Sequence, residues 1–143
     1  MEHFWRMTLW FKRFVLLAAT LILALIGTRY MIDPVGAAAA TDISLGSALA
    51  VSTMRVGFGA FPLGCALVAL VCLVSARRLQ TGLSFVAAIF GVALAVRVFA
   101  IVDDGTLRQS LSLLSAEAIL LTLSLVGLVV DRGDRRRRSG QVT

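Results

Sequence analysis

Residues 111–130 read LSLLSAEAILLTLSLVGLVV, an aliphatic run with one acid in it, Glu117. Crossing the hydrocarbon core of a bilayer takes about 20 residues of helix, so this run is long enough. A charge in hydrocarbon costs roughly 2.5–3.5 kcal/mol on insertion scales unless it finds a partner or water. The glutamate therefore needs an explanation from the rest of the chain. Ser110, Glu117 and Ser124 recur at seven-residue spacing. On a helix they form a thin polar stripe, which should face other helices rather than lipid.

Three further apolar runs precede it, at residues 14–30, 56–74 and 83–102. The chain has 143 residues, 59% of them hydrophobic, and a mean hydropathy of +0.92. A water-soluble fold of this size cannot bury that much apolar surface, so lipid must cover part of it. The expected fold is all-α, an integral membrane four-helix bundle. Residues 1–13 are read as an interfacial arm, 14–130 as the four-span domain and 131–143 as a basic, disordered tail.

The arm MEHFWRMTLWFKR mixes aromatic residues with Arg6, Lys12 and Arg13. That pattern places rings at headgroup level and bases towards anionic lipid. The first span has a rival reading as a cleaved signal peptide, with Ala37–Ala40 as the small residues. Those alanines lie well past the apolar run, beyond Arg29, Asp33 and Pro34, so a retained helix is preferred. Asp33-Pro34 breaks that helix. The rest of 31–54 is read either as a short surface helix or as an early start of the second span.

Arg55 introduces the second span. Arg55, Gly59, Pro62, Ala66 and Ala69 share one helix face, and its small residues suit close packing in lipid, where no hydrophobic drive brings helices together. Pro62 should bend the helix. Ala87, Gly91 and Ala95 form a similar stripe in the third span. Cys65 and Cys72 lie roughly 10 Å apart along a helix axis, too far for a mutual disulfide, and are read as packing residues.

The net charge is +6, from fourteen basic and eight acidic residues. With four spans, the arm, the Arg77-Arg78 connection and the tail share one side. Short basic connections face the cytoplasm, so both termini are expected inside a bacterial inner (plasma) membrane. Arg135, Arg136, Arg137 and Arg138 in the tail are expected on acidic lipid headgroups; nucleic acid is not expected as a partner.

The other side receives Arg29, Arg55, Asp103, Asp104 and Arg108, with Arg97 late in span three. Arg97 is the expected partner of Glu117: the two lie at similar depth on helices joined by a short turn. Arg55 is the second choice. Two readings follow. In one, the pair pins helix register, as in an accessory subunit of a membrane complex. In the other, Arg55, Arg97, Glu117 and Asp104, with Arg29, Arg108 and Asp103 around them, bind a lipid-like or small anionic ligand. A transporter or redox-linked component is a third. His3 is the sole imidazole, and no nucleophile–base pair, phosphate loop or metal-ligand spacing appears. No enzyme activity, cofactor or metal is therefore expected; the expected partners are the bilayer, such a ligand and another membrane protein.

Arg55-Val56-Gly57-Phe58-Gly59 at the head of the second span, Arg97, Asp104-Gly105 and Glu117 together resemble domain-of-unknown-function family 4345. These are small bacterial four-helix membrane proteins, distantly similar to DoxX-like proteins. The resemblance covers roughly residues 16–130 and implies a four-span bundle. It singles out Arg55, Arg97, Asp104 and Glu117, and implies no established activity. The family pattern favours adjacent glycines after the arginine, whereas Gly57 and Gly59 are separated here.

Overall fold

A computed structural model describes residues 2–105 and 107–139, with the side chains of 2–6, 108, 109, 112 and 131–139 left undescribed. Helix α1 spans Glu2–Ile32, α2 Pro34–Ala39 and α3 Ala48–Met54. A π-helical segment, Arg55–Ala60, leads directly into α4, Phe61–Val74. Helices α5, Leu79–Asp104, and α6, Leu107–Ser139, complete the chain. The described residues contain no strand. Among the described residues, four helical stretches are long and apolar enough to cross a membrane: Met7–Ile32, Ala48–Val74, Leu79–Asp104 and Leu113–Val130.

Several boundaries differ from the sequence expectation. The arm is not a separate element. Residues 2–26 hold no proline or glycine, so nothing stops the first span from extending back through it. On that helix Lys12 is buried and has an interaction partner, rather than reaching towards lipid. The stretch 31–54 holds the short helix α2 and the start of the second span. Asp33, before Pro34, leaves the helical region, and its Oδ1 accepts from the Gly36 amide at 2.9 Å; Pro34 then opens α2. Ser47 caps α3 by accepting from the Ala50 amide at 3.1 Å. The second span thus begins at Ala48, not Val56. Helix α6 runs on to Ser139, into the segment expected as a basic tail. Arginine is a good helix former, and cations at a helix C-terminus oppose the helix dipole.

The π segment has a local cause. Pro62 has no N–H, and in an α-helix its ring would press on the carbonyl of Phe58. The turn widens just before it: the Phe61 amide bonds the Val56 carbonyl, five residues back. This is the form that the expected bend takes.

The chain divides into two compact units. The first comprises residues 1–16 and 72–143. Its core holds Val15, Leu16, Leu79, Leu83, Val86, Phe90 and Leu120. Here α5 and α6 form an antiparallel hairpin. Gly105, with φ of 68°, ends α5 by donating its amide to the Ile101 carbonyl at 3.1 Å. The register follows three contacts: Arg97 with Glu117, Gly91 facing Leu121, and Gly127 facing Leu83. The closest approach is not at the Ala87–Gly91–Ala95 stripe. Ala95 is exposed, and a methyl at Gly91 would stand 3.7 Å from Leu121, an ordinary contact. The tight point is Gly82, where a Cβ would lie 2.6 Å from that of Cys72 and 3.0 Å from Leu16. Gly82→Ala should therefore lower stability by about 1–3 kcal/mol, whereas Gly91→Ala should be close to neutral. Thermal unfolding of the two variants in detergent checks the contrast.

The second unit, residues 17–71, has a core of small residues: Ala19, Ala37, Ala38, Cys65, Ala66 and Ala69, with Leu23 the one large side chain among its buried hydrophobics. Small residues let backbones approach. At Gly27 a Cβ would stand 2.7 Å from the Gly59 carbonyl oxygen and 2.9 Å from the Leu63 nitrogen. Tyr30 stacks obliquely on Phe58, with ring centroids 5.3 Å apart, and its hydroxyl donates to the Ala37 carbonyl at 3.5 Å.

Large apolar side chains stay uncovered along every span, among them Trp10, Phe14, Leu67, Val92, Phe99 and Ile119. In α5 only 11% of the apolar window is buried. A soluble monomer does not carry that much contiguous apolar surface; acyl chains are the solvent that suits it.

Candidate functional site

Among the described residues, Arg97 and Glu117 form an ion pair inside the spans. Helix α5 positions the guanidinium about 10 Å before its C-terminal end, and α6 brings the carboxylate alongside. The contact is bidentate: Nε donates to Oε2 at 2.7 Å and Nη2 to Oε1 at 2.6 Å. Two parallel charge-assisted bonds fix orientation as well as distance. The side chains keep 27% and 14% of their surface, the arginine being the more open.

The rest of the serine stripe also turns inward. Ser124 is fully buried and donates to the Leu120 carbonyl at 2.7 Å, one turn back on its own helix. Ser110 is half-buried and has a partner. Exposed Thr122 likewise satisfies its hydroxyl on the Ala118 carbonyl at 2.7 Å. The Ser124 and Thr122 hydroxyls thus satisfy themselves on their own helix backbone.

The other expected residues divide between the two units. Asp103 and Asp104 are exposed at the end of α5 and make no ion pair with a described residue. Arg29 and Arg55 belong to the second unit, where both are exposed without an acidic partner among the described residues. Arg55 was expected on the buried small-residue face, yet only Gly59, Ala66 and Ala69 of that face are buried; Pro62 is intermediate. The π turn between accounts for this. One residue beyond α-helical register rotates what precedes it by roughly 100°. The side chains of Arg108 and Arg135–Arg138 lie outside the described residues.

A hollow of about 490 Å³ opens on the second unit beside α3 and the π segment, against Leu45, Ser47, Ala50, Thr53, Gly57 and Phe58. No ionisable side chain lines it. It is therefore not the anion pocket that the arginines suggested. Cys65 and Cys72 are free and buried, as packing residues would be.

Four long apolar helices, with the Arg97–Glu117 ion pair between two of them, define a small all-α membrane protein. Within that class the chain belongs to the family described as Domain of unknown function (DUF4345), whose model matches residues 11–128. No curated protein and no solved structure matches it.

Proposed function

We propose that the chain is a non-enzymatic, multi-pass protein of the bacterial inner membrane, with both termini in the cytoplasm. It acts as a structural accessory subunit whose α5–α6 hairpin is held in register by Arg97 and Glu117. The bidentate bond between them carries this reading. Each charge meets its complement inside the protein, as a pin requires and as a waiting anion site does not. Exchanging the two charges, Arg97→Glu with Glu117→Arg, should restore most of the stability that either single change removes. Denaturation of the three variants in detergent tests it; a double variant no more stable than the singles would sink the pin.

The topology has its own readout. A cysteine introduced at Ser44 should react with an impermeant maleimide added to intact cells, while one at Ala76 should react only after lysis. The basic residues at 77 and 78 favour the inner side for the second of these.

Exposed Arg29 and Arg55, without acid partners among the described residues, favour a second reading, in which the second unit holds an anionic, lipid-like ligand. Mass spectrometry of the purified protein separates the two. An anionic amphiphile retained by the native chain but lost from Arg55→Gln supports the ligand.

A further inference from the structure

The Arg97–Glu117 pair leaves no net charge over. What it leaves over is hydrogen-bond donors. A guanidinium carries five N–H groups. Nε and Nη2 each give one to Glu117. The two on Nη1 and the second on Nη2 meet no acceptor among the described residues. The arginine is also the more exposed member of the pair. On the same two helices Val96, Val98, Phe99 and Leu113 present exposed apolar surface.

Depth narrows what can reach that edge. Helix α5 has 26 residues, about 39 Å of rise against a hydrocarbon core of about 30 Å. Centred in the bilayer, it extends about 4–5 Å past each boundary, which leaves the Arg97 backbone about 6 Å inside. Held by Glu117, the guanidinium stays at about that depth, close beneath the boundary. The nearest acceptors outside the protein are then the glycerol ester carbonyls at the hydrocarbon edge. An N–H facing bare hydrocarbon costs several kcal/mol, so an acceptor there is worth having. An anion is the poorer match, because Glu117 already neutralises the guanidinium at contact distance.

We propose that the open edge of the Arg97 guanidinium is a docking point for the carbonyl oxygen of a neutral amphiphile, the ester carbonyl of a surrounding glycerolipid. The inference rests on the pair being formed, as proposed above, and assigns the arginine's unused donors to a ligand class rather than to an anion.

The test uses the full chain in nanodiscs of dioleoyl phosphatidylcholine and of its ether-linked analogue, which keeps chains and headgroup but lacks the ester carbonyls. The native protein should melt several degrees lower in the ether lipid. In Arg97→Gln/Glu117→Gln, which has no surplus guanidinium donors, the ester–ether difference should vanish. If decylubiquinone added to the ether discs restores the melting temperature, the acceptor is a discrete carbonyl ligand rather than bulk lipid, and the donor edge is upheld. If ether-linked phosphatidylglycerol restores it, the site reads anionic charge and the proposal is overturned. Equal melting in both discs with no quinone response also overturns it, as does a difference that persists in the double variant. The pin is scored separately, by the stability of Glu117→Gln alone in ester discs.

Discussion

Replacing Glu117 with glutamine, Arg97 left in place, should destabilise the folded chain by about 3 kcal/mol, the scale for an uncompensated charge within a transmembrane helix. The two bonds at 2.7 and 2.6 Å are then replaced by one amide contact, and the guanidinium keeps its charge. An arginine has no neutral form to retreat to, so Glu117→Gln strands a full charge. Removing both charges should cost much less than removing one, because a neutral Gln–Gln contact leaves no ion behind. Reversible denaturation of Glu117→Gln, Arg97→Gln and the double variant in mixed micelles measures this. Equal stability of Glu117→Gln and the native chain would rule out the pin.

The second large effect is expected at Gly27. An alanine there would bring its methyl within 2.7 Å of the Gly59 carbonyl oxygen and 2.9 Å of the Leu63 nitrogen. Both are backbone atoms of the neighbouring helix, so no side chain can swing aside; the helices must part. Overpacking of this kind costs about 1–3 kcal/mol, and Gly27→Leu should exceed that range because the larger side chain separates the helices further. Gly64→Ala is the control. It lies in α4 with nothing within 4 Å of the added methyl, and exchanging glycine for alanine in a helix gains up to about 1 kcal/mol. Melting temperatures in one detergent should thus move in opposite directions for two glycine-to-alanine changes in the same unit.

How much of this was readable beforehand depended on which physical signal each feature leaves. The four apolar helices were legible because length and hydropathy leave few alternatives in a chain this apolar. The Arg97–Glu117 contact was legible for a related reason. Two opposite charges at similar depth on helices joined by a short turn have few other partners in lipid. Helix ends were less legible. Nothing in MEHFWRMTLWFKR marks where a surface helix would give way to a span, because both are helix and the structure simply continues one into the other. The arginines of the tail read as a solvated run, although the same residues propagate α6. Arg55 was misplaced because a wheel with 3.6 residues per turn does not anticipate a widened turn. The cue is Pro62, which on sequence alone implies a bend rather than a change of register. Gly82 was missed as a contact point because it stands at the head of α5, outside the span drawn from hydropathy.

The π turn at Arg55–Ala60 also governs what this stretch can tolerate in length. A transmembrane rod usually suffers from losing a residue, since everything beyond the cut changes its facing. Here the rod already carries one residue in excess, lodged against a proline. Excising a residue from this stretch would let the ladder close in α-helical frame. The arginine at its head would then swing about a quarter-turn or more towards the side where Gly59 meets Met31, trading an open rim for a crowded, greasy seam. The surplus residue is thus what keeps that cation out of the packing.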